Sequence, residues 1–401
     1  MTLFTFTVRS MLHRKWSFLF SILTIILSFT LVLTIHVTAD GVKESLKRES
    51  TTYEMVVGAE GSATQLVLNA LMRMDTPLGN IPFSLYEKLK EDDRVLTAVP
   101  IALGDTYLGV PIVGTDLSFF QPLRPGMSNR FRLKEGSWFQ KEGEVVVGAE
   151  AANRLQLTLG KEFFGNHGGK EGDGEAHHNL RYRVVGILEA TGGADDWALF
   201  TPLESLWRVH GQKEDGKEIT AILVKPEQMG YLPRLKEELS GLNGVQAAYS
   251  VPVFRQLLNW VERMSRLLTF VSYLSLFLTL LFLISMLIST AIQRKGELAL
   301  LRALGIRKEM IRLHLLLESG ILLGSGILGG WLFSLLLSAL FSRYSLRTFG
   351  LPLPLSYVDQ NLLLLALFLF FVGLLVTNLP YQWLYRRKGM ERGVVSFDHE
   401  G

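Results

Sequence analysis

The chain has 401 residues, of which 48% are hydrophobic and 20% are charged, and its formal net charge is +3. So small an excess of basic residues argues against a nucleic-acid-binding protein. The sequence contains no cysteine, which excludes disulfides, thiol catalysis and thiolate metal sites. The hydrophobic content is high for a soluble protein and is concentrated in long runs, which indicates a membrane protein with a water-facing domain.

The first two elements follow from the N-terminal residues. Residues 1–15 combine apolar and basic side chains, a pattern that predicts a cytoplasmic amphipathic helix on the membrane surface. Residues 16–37 then form an apolar run long enough to cross a bilayer. A secretory signal peptide is the competing interpretation, but its apolar region usually covers roughly 7–15 residues. We therefore interpret residues 16–37 as a retained first transmembrane helix.

Charged residues, glycine and proline return in residues 38–266, which predicts a large α+β extracytoplasmic domain. Alternating or β-branched runs predict strands, and apolar residues at helical spacing predict helices. The predicted strands are 54–58, 95–102, 109–113, 144–147, 157–164, 181–188, 198–200, 219–224 and 245–254. The predicted helices are 62–74, 83–90, 148–155, 203–210, 231–242 and 254–266.

One insertion in this domain, residues 165–179, is rich in glycine and histidine. The glycine content predicts a flexible surface loop. His167, His177 and His178 are weak candidates for metal ligands, because imidazole groups beside acidic residues suit a divalent cation. No rigid spacing presets a coordination geometry, so we predict a solvated hairpin loop without a metal.

The sequence contains no recognisable catalytic constellation. Residues 211–217 have the spacing of a phosphate-binding loop, but Glu218 occupies the place of the Ser or Thr that would hold magnesium. Ser325 lies in an apolar run without a His or Lys partner at membrane depth, and no H-E-x-x-H motif occurs. We therefore predict that the chain is not an enzyme and has no cofactor of its own.

Three further apolar runs in the C-terminal part predict three more transmembrane helices. Basic residues cluster before the first span, between the second and third, and after the fourth. The positive-inside rule therefore places both termini in the cytosol and the large domain outside. The predicted segments are the second span 267–292, a cytoplasmic elbow 293–318, the third span 319–341, a short external loop 342–360, the fourth span 361–385 and a cytoplasmic tail 386–401.

The predicted fold class is thus an α-helical membrane protein with four transmembrane helices and a large α+β extracytoplasmic domain between the first and second. Within the third span, four glycines form two small-xxx-small pairs, Gly320 with Gly324 and Gly326 with Gly330. Such pairs let two helix backbones approach closely, so we predict that these glycines pack helices together.

The coupling elbow, as we name residues 293–318, lies between two membrane-length runs. Its apolar residues recur at helical spacing until Gly305, which predicts a short helix, a turn and a second helix entering the membrane. Glu297, Leu301 and Leu304 share one stripe of the first helix. Such a stripe suits docking to a soluble partner, and an ordinary charged loop is the alternative.

The elbow resembles the signature of the MacB/FtsX-like (LolC/LolE-like) permeases of ABC transporters. Three phrases of the large domain, at 54–82, 144–163 and 182–206, also resemble the extracytoplasmic domain of that family. The elbow positions that match are Arg294, Glu297, Leu301, Arg302, Ala303, Leu304, Gly305, Arg307, Lys308, Ile311, Glu318 and Ser319.

The resemblance implies a permease subunit that docks through its elbow on a separate ABC ATP-binding subunit, which binds ATP and Mg. It also implies a second permease subunit, in a homodimer or a heterodimer, and contacts with membrane lipid and an envelope accessory protein. The implied activity is export or extraction of a lipoprotein, peptide or hydrophobic compound. The alternative is a non-transporting mechanotransmitter that regulates a cell-envelope enzyme or sensor.

Overall fold

The computed structural model describes residues 3–50, 52–74, 76–124, 129–167, 180–212, 216–293, 296, 303, 305–349, 353 and 360–386. The chain divides into two units. The helical unit comprises residues 1–39, 263–340 and 355–401, and the α+β unit comprises residues 40–262 and 341–354.

The described residues form helices and strands in the following order along the chain. The helices are α1 Leu3–His13, α2 Lys15–Glu49, α3 Ala63–Met72, α4 Phe83–Lys90, α5 Ala149–Leu155, α6 Leu203–Val209, α7 Leu232–Ser240, α8 Ser250–Gln293, α9 Lys308–Phe349 and α10 Gln360–Arg386. The strands are β1 Met55–Ala59, β2 Ile81–Pro82, β3 Val95–Tyr107, β4 Val110–Thr115, β5 Leu133–Gly136, β6 Glu144–Val147, β7 Glu162–Phe163, β8 Asn166–His167, β9 Tyr182–Leu188, β10 Leu199–Pro202, β11 Glu218–Ile219, β12 Ala221–Pro226 and β13 Val245–Tyr249.

Among the described residues, three helices are long and apolar enough to cross a membrane. They are Lys15–Glu49, Ser250–Met286 and Glu309–Leu346. The predicted fourth span falls within α10, whose described apolar part, Leu362–Leu375, is shorter. Three membrane-length helices and an α+β unit after the first are therefore established, and the fourth span stays a prediction.

Helices α2, α8, α9 and α10 pack together in the helical unit. Their shared apolar cluster contains Ile25, Leu283, Leu322 and Leu323, with Phe370 packed against it. Hydroxyl groups supplement this packing within the unit, because Ser28 Oγ lies 2.5 Å from Thr279 Oγ1 and Thr30 donates to the Gly330 carbonyl at 3.1 Å. The hydroxyls of Ser28 and Thr30 thus find partners on neighbouring helices.

The α+β unit is organised on a mixed sheet in the order β13-β1-β12-β3-β4-β10-β6-β9-β5, with β7 beside β9 and β8 beside β3. Most neighbours are antiparallel, whereas β10 pairs with β4 and β6 with β9 in parallel. The long strand β3 continues across the centre and pairs with β12, β4 and β8.

Side chains alternate between two cores, one on each face of the sheet. Val57 and Val145 belong to the first core, which α4, α5, α6 and α7 cover. Val56 and Val146 belong to the second core, together with α3 and an aromatic cluster. The second core also buries Leu46 near the end of α2 and Phe254 near the start of α8.

The following details differ from the sequence-based expectations. Helix α9 continues to Phe349, so the first part of the predicted loop 342–360 is helical. The strand predicted for 245–254 ends at Tyr249, because Pro252 suits the first turn of a helix and α8 begins at Ser250. The strand predicted for 157–164 is reduced to β7. Asn166 and His167 at the start of the glycine-rich insertion form β8 rather than a loop.

Candidate functional site

Most of the first half of the predicted coupling elbow lies outside the described residues. Arg294, Glu297, Leu301, Arg302 and Leu304 lie outside the described residues. The structure describes Gly305, Arg307 and the backbone of Lys308. The docking role of the elbow stays a prediction.

Gly305 adopts a φ of +84°, in the left-handed region that side chains rarely occupy. A Cβ at this position would meet no described atom within 4 Å, and the positive φ by itself favours glycine here. Helix α9 begins three residues later, at Lys308, and the Arg307 carbonyl accepts from the Met310 amide at 3.1 Å. A turn followed by a helix entering the membrane is the geometry that the sequence predicts for this half of the elbow.

Helix α1 contacts the first turns of α9 within the helical unit. Thr7 Oγ1 lies 2.8 Å from His314 Nδ1, and the rings of Phe6 and His314 are 5.0 Å apart. His314 Nε2 also lies 3.8 Å from a Glu318 carboxylate oxygen. The N-terminal helix is therefore tied to the helix that carries the elbow, a contact that the sequence analysis missed because its partners are 307 residues apart.

The four glycines of the third span face two different helices. A Cβ at Gly326 would lie 2.6 Å from the Ile25 side chain on α2, and one at Gly330 would lie 3.0 Å from Phe29. By contrast, a Cβ at Gly320 or Gly324 would lie about 4 Å from side chains of α10. The close approach of α9 to α2 at Gly326 and Gly330 supports the predicted packing role.

A buried group of charges lies at the end of α2, beyond its membrane-spanning part. We call it the Glu49 cluster; it consists of Glu49, Arg73, Arg130 and Asp195. Arg130 donates to both carboxylate oxygens of Glu49, at 2.9 and 3.2 Å, and lies 2.7 Å from Asp195 Oδ2. Arg73 binds the other oxygen of Asp195. Two basic and two acidic side chains thus pair; those of Glu49, Arg73 and Asp195 are buried, and that of Arg130 is 24% exposed.

Burial controls the ionisation of this cluster. It raises the pKa of the Glu49 carboxyl, against the opposing charge of Arg130 and with the help of the Asp195 charge. Burial lowers the pKa of Arg130, but the charges of Asp195 and Glu49 outweigh it and hold that pKa above its usual value. Burial thus disfavours the ionised form of Glu49, and the neighbouring arginines offset only part of that cost.

The backbone of residues 191–196 closes around the same helix end. Arg48 donates to the Thr191 and Gly192 carbonyls at 3.1 Å, and the Ala194 amide donates to Glu49 at 3.3 Å. This segment is itself held by Asp196, which accepts from the amides of Thr191 and Gly192. The last turn of α2 is therefore fixed by side-chain and backbone contacts as well as by the burial of Leu46.

His167 is the one weak metal candidate that the structure describes, since His177 and His178 lie outside the described residues. It lies beside two residues that the sequence analysis did not single out, Asp105 and His210. They were missed because Asp105 belongs to a mid-sheet strand and His210 follows a helix far along the chain. Only the folded topology brings the three together.

Comparisons with known proteins address the family. Residues 18–242 match the model of the MacB-like periplasmic core domain, and residues 269–388 match the model of the FtsX-like permease C-terminal region. No curated protein matches the chain.

Among solved structures, one similar to this chain is the extracellular domain of the noncanonic ABC-type transporter YknZ from Gram-positive bacteria. It is 14% identical, covers 49% of this chain and 98% of its own, and has a TM-score of 0.31.

The predicted resemblance is confirmed by the family models. The periplasmic core model alone covers more than half of the 401 residues, and the permease model covers most of the remainder. Proteins of this family are transporter subunits rather than enzymes, and they work with an ATP-binding partner subunit. The chain belongs to the MacB/FtsX-like family and is a membrane-embedded permease subunit of an ABC-type transporter.

Proposed function

We propose that this permease transmits movement, driven by ATP hydrolysis in its partner, to the α+β unit outside the membrane. The observation that carries the proposal is the pair of uninterrupted helices α2 and α8. Each combines a membrane-length apolar segment with an end that is buried in the α+β unit. A continuous helix is stiff because every internal backbone group is hydrogen-bonded.

The anchoring of both helix ends supports this role. Leu46 of α2 and Phe254 of α8 are buried in the same core of the α+β unit. The Glu49 cluster adds directional, charge-assisted contacts to one of these ends. A displacement of either helix along its axis would therefore act on the sheet rather than be absorbed by a loose connection.

The elbow is the proposed docking surface for the ATP-binding subunit, with ATP and Mg bound by that subunit. Residues 297–312 supply an apolar stripe with charged edges, the composition that a docking helix requires. The left-handed turn at Gly305 supports a compact elbow. We also propose a fourth span in α10, because it packs with the three longer helices in one cluster.

The proposed cargo is a lipoprotein, a peptide or a hydrophobic compound, exported or extracted outside the membrane core by a pair of permease subunits. An apolar cavity of about 300 Å³ in the helical unit supports cargo with an acyl or other apolar part. Phe29 and Leu33 of α2, Trp331 of α9 and Phe370 of α10 contribute to its lining.

Hydrogen–deuterium exchange on the permease–ATPase complex in nanodiscs tests the transmission. We expect ATP, compared with ADP, to change amide protection at residues 40–49 and 250–262. Leu301→Asp, which is designed to detach the ATPase, should abolish that change. A complex that hydrolyses ATP while exchange in the α+β unit stays constant would overturn the proposal.

A further inference from the structure

Three potential metal ligands converge in the α+β unit. Asp105 of β3 and His167 of β8 are direct cross-strand partners, and His210 ends α6. Asp105 Oδ1 lies 3.2 Å from His167 Nδ1 and 3.3 Å from His210 Nε2. The three ligand atoms all lie within 4.8 Å of one another.

These separations suit a tetrahedral metal. Zinc bonds of about 2.0–2.1 Å place neighbouring ligand atoms about 3.3–3.4 Å apart, which is the separation of Asp105 from each histidine nitrogen. The two histidine nitrogens must approach each other, and His167 can move because 59% of its side chain is exposed. Two imidazoles and one carboxylate are a ligand set that zinc and its neighbouring divalent transition metals bind.

Two of the three proposed ligands are held in place by the fold. The Asp105 side chain is 0% exposed, and the strand register fixes His167 opposite it.

We propose that Asp105, His167 and His210 bind one divalent transition-metal ion, zinc foremost, on the α+β unit. The position facing solvent stays open, so the ion exchanges with the surroundings and is not locked in at folding. The metal joins the β3–β8 pair to the end of α6. The competing interpretation is a metal-free arrangement in which both imidazoles hydrogen-bond to Asp105, and the two make different predictions.

The test uses the full chain purified in detergent and stripped of metal, titrated with Zn²⁺ against a chromophoric chelator. Because the chain contains no cysteine, thiolates do not compete. We expect one equivalent to bind, and His167→Gln and His210→Gln each to weaken binding by about 10–100-fold or more, since even outer-shell losses reach that range. His13→Gln, which alters a histidine of α1, should bind as the native chain does.

Two further readouts identify the site. Co²⁺ should give the intense visible absorption of a tetrahedral complex in the native chain and in His13→Gln, and lose it in His167→Gln and His210→Gln. Zn²⁺ should raise the melting temperature of the native chain and of His13→Gln, but not that of His167→Gln or His210→Gln, because a ligand that binds the folded state stabilises it. Melting temperatures measured without metal serve as the control that His167→Gln and His210→Gln remain folded.

Two outcomes would contradict the proposed metal site. Absence of stoichiometric Zn²⁺ binding, or binding unchanged in both histidine variants, would favour the metal-free hydrogen-bonded arrangement. Loss of binding only in a His177→Gln/His178→Gln double variant would move the site to the glycine-rich insertion and refute the assignment. None of these results depends on transport or on the ATP-binding subunit.

Discussion

The Glu49 cluster places four ionisable side chains largely out of contact with water, so the loss of one partner matters more than the loss of a surface pair. Arg73→Met leaves Asp195 with one cation instead of two. We expect it to lower the free energy of unfolding by about 3–5 kcal/mol, the usual cost of breaking a buried ion pair. The measurement is thermal unfolding in detergent, followed by tryptophan fluorescence.

A matched control is Arg181→Met, which removes the same charge from an exposed pair. Arg181 lies 3.0 Å from Glu162, but both side chains are largely exposed. Exposed pairs contribute at most about 1 kcal/mol, so this variant should melt close to the native chain. Equal melting temperatures for the two variants would show that the buried cluster carries no special stability.

The same cluster predicts a pH dependence. Because burial raises the pKa of Glu49 in the folded state, the folded chain binds its proton more tightly than the unfolded chain. This contribution to stability is complete below the unfolded pKa of about 4.3 and is lost as pH rises through the folded value. Glu49→Gln does not titrate, so the stability of the native chain relative to this variant should fall from pH 4 to pH 8.

The measurement is the melting temperature of the native chain and of Glu49→Gln at each pH between 4 and 8. An opposite slope, with the native chain gaining on Glu49→Gln as pH rises, would mean that Arg130 outweighs burial at this site.

At the scale of the element, the glycines of α9 predict that its contact with α2 tolerates an added methyl group less well than its contact with α10. Gly330→Ala adds a methyl group 3.1 Å from the Ile26 carbonyl oxygen and 3.0 Å from Phe29. We expect it to destabilise by about 1–3 kcal/mol, as overpacking does. Gly320→Ala adds the same group where the nearest neighbour is 4.0 Å away. It should be neutral or stabilising, and thermal melting in detergent compares the two.

The elbow gives a second prediction at this scale. Leu301→Asp would place a charge in the docking stripe, and Gly305→Val would strain a backbone with φ of +84°, each at a cost of a few kcal/mol. Both should reduce copurification of the ATP-binding subunit and ATP-dependent activity while membrane yield stays normal. Gly305→Asn is the matched control, because asparagine tolerates the left-handed region. If the first two variants retain the full amount of active ATP-binding subunit, the docking prediction is wrong and the elbow is an ordinary charged loop.

Helices and strands were predicted correctly where the local sequence carries turn residues and a regular spacing of apolar residues. Helix α4 and strand β6 have the predicted bounds, because proline or glycine and an apolar period mark them. Strand β5, Leu133–Gly136, was missed: its lysine, glutamate and glycine are poor strand formers, and pairing with β9 at the sheet edge determines it. The Glu49 cluster was missed, and so were Asp105 and His210 as partners of His167, because each group draws its residues from distant segments.

At the scale of the whole molecule, the predicted orientation can be tested directly. We expect a cysteine at the exposed position Ser137 to react with an impermeant reagent in intact cells, and one at Ser396 to remain unlabelled until the membrane is opened. The native sequence has no cysteine, so background labelling is absent. Labelling of both positions in intact cells would contradict the orientation.

Helix α2 runs without interruption from its apolar span to Leu46 and Glu49. A change in the number of residues in this helix therefore alters the direction in which its side chains point as well as its length. Each residue of a helix adds about 1.5 Å of rise and about 100° of rotation. One alanine inserted between Val37 and Leu46 would therefore turn the apolar face of the span through about 100° relative to Leu46 and Glu49. Seven inserted residues would nearly restore the angle, because about two full turns are added, but would lengthen the helix by about 10 Å. Helical phase is thus a constraint on this protein that neither of its units carries alone.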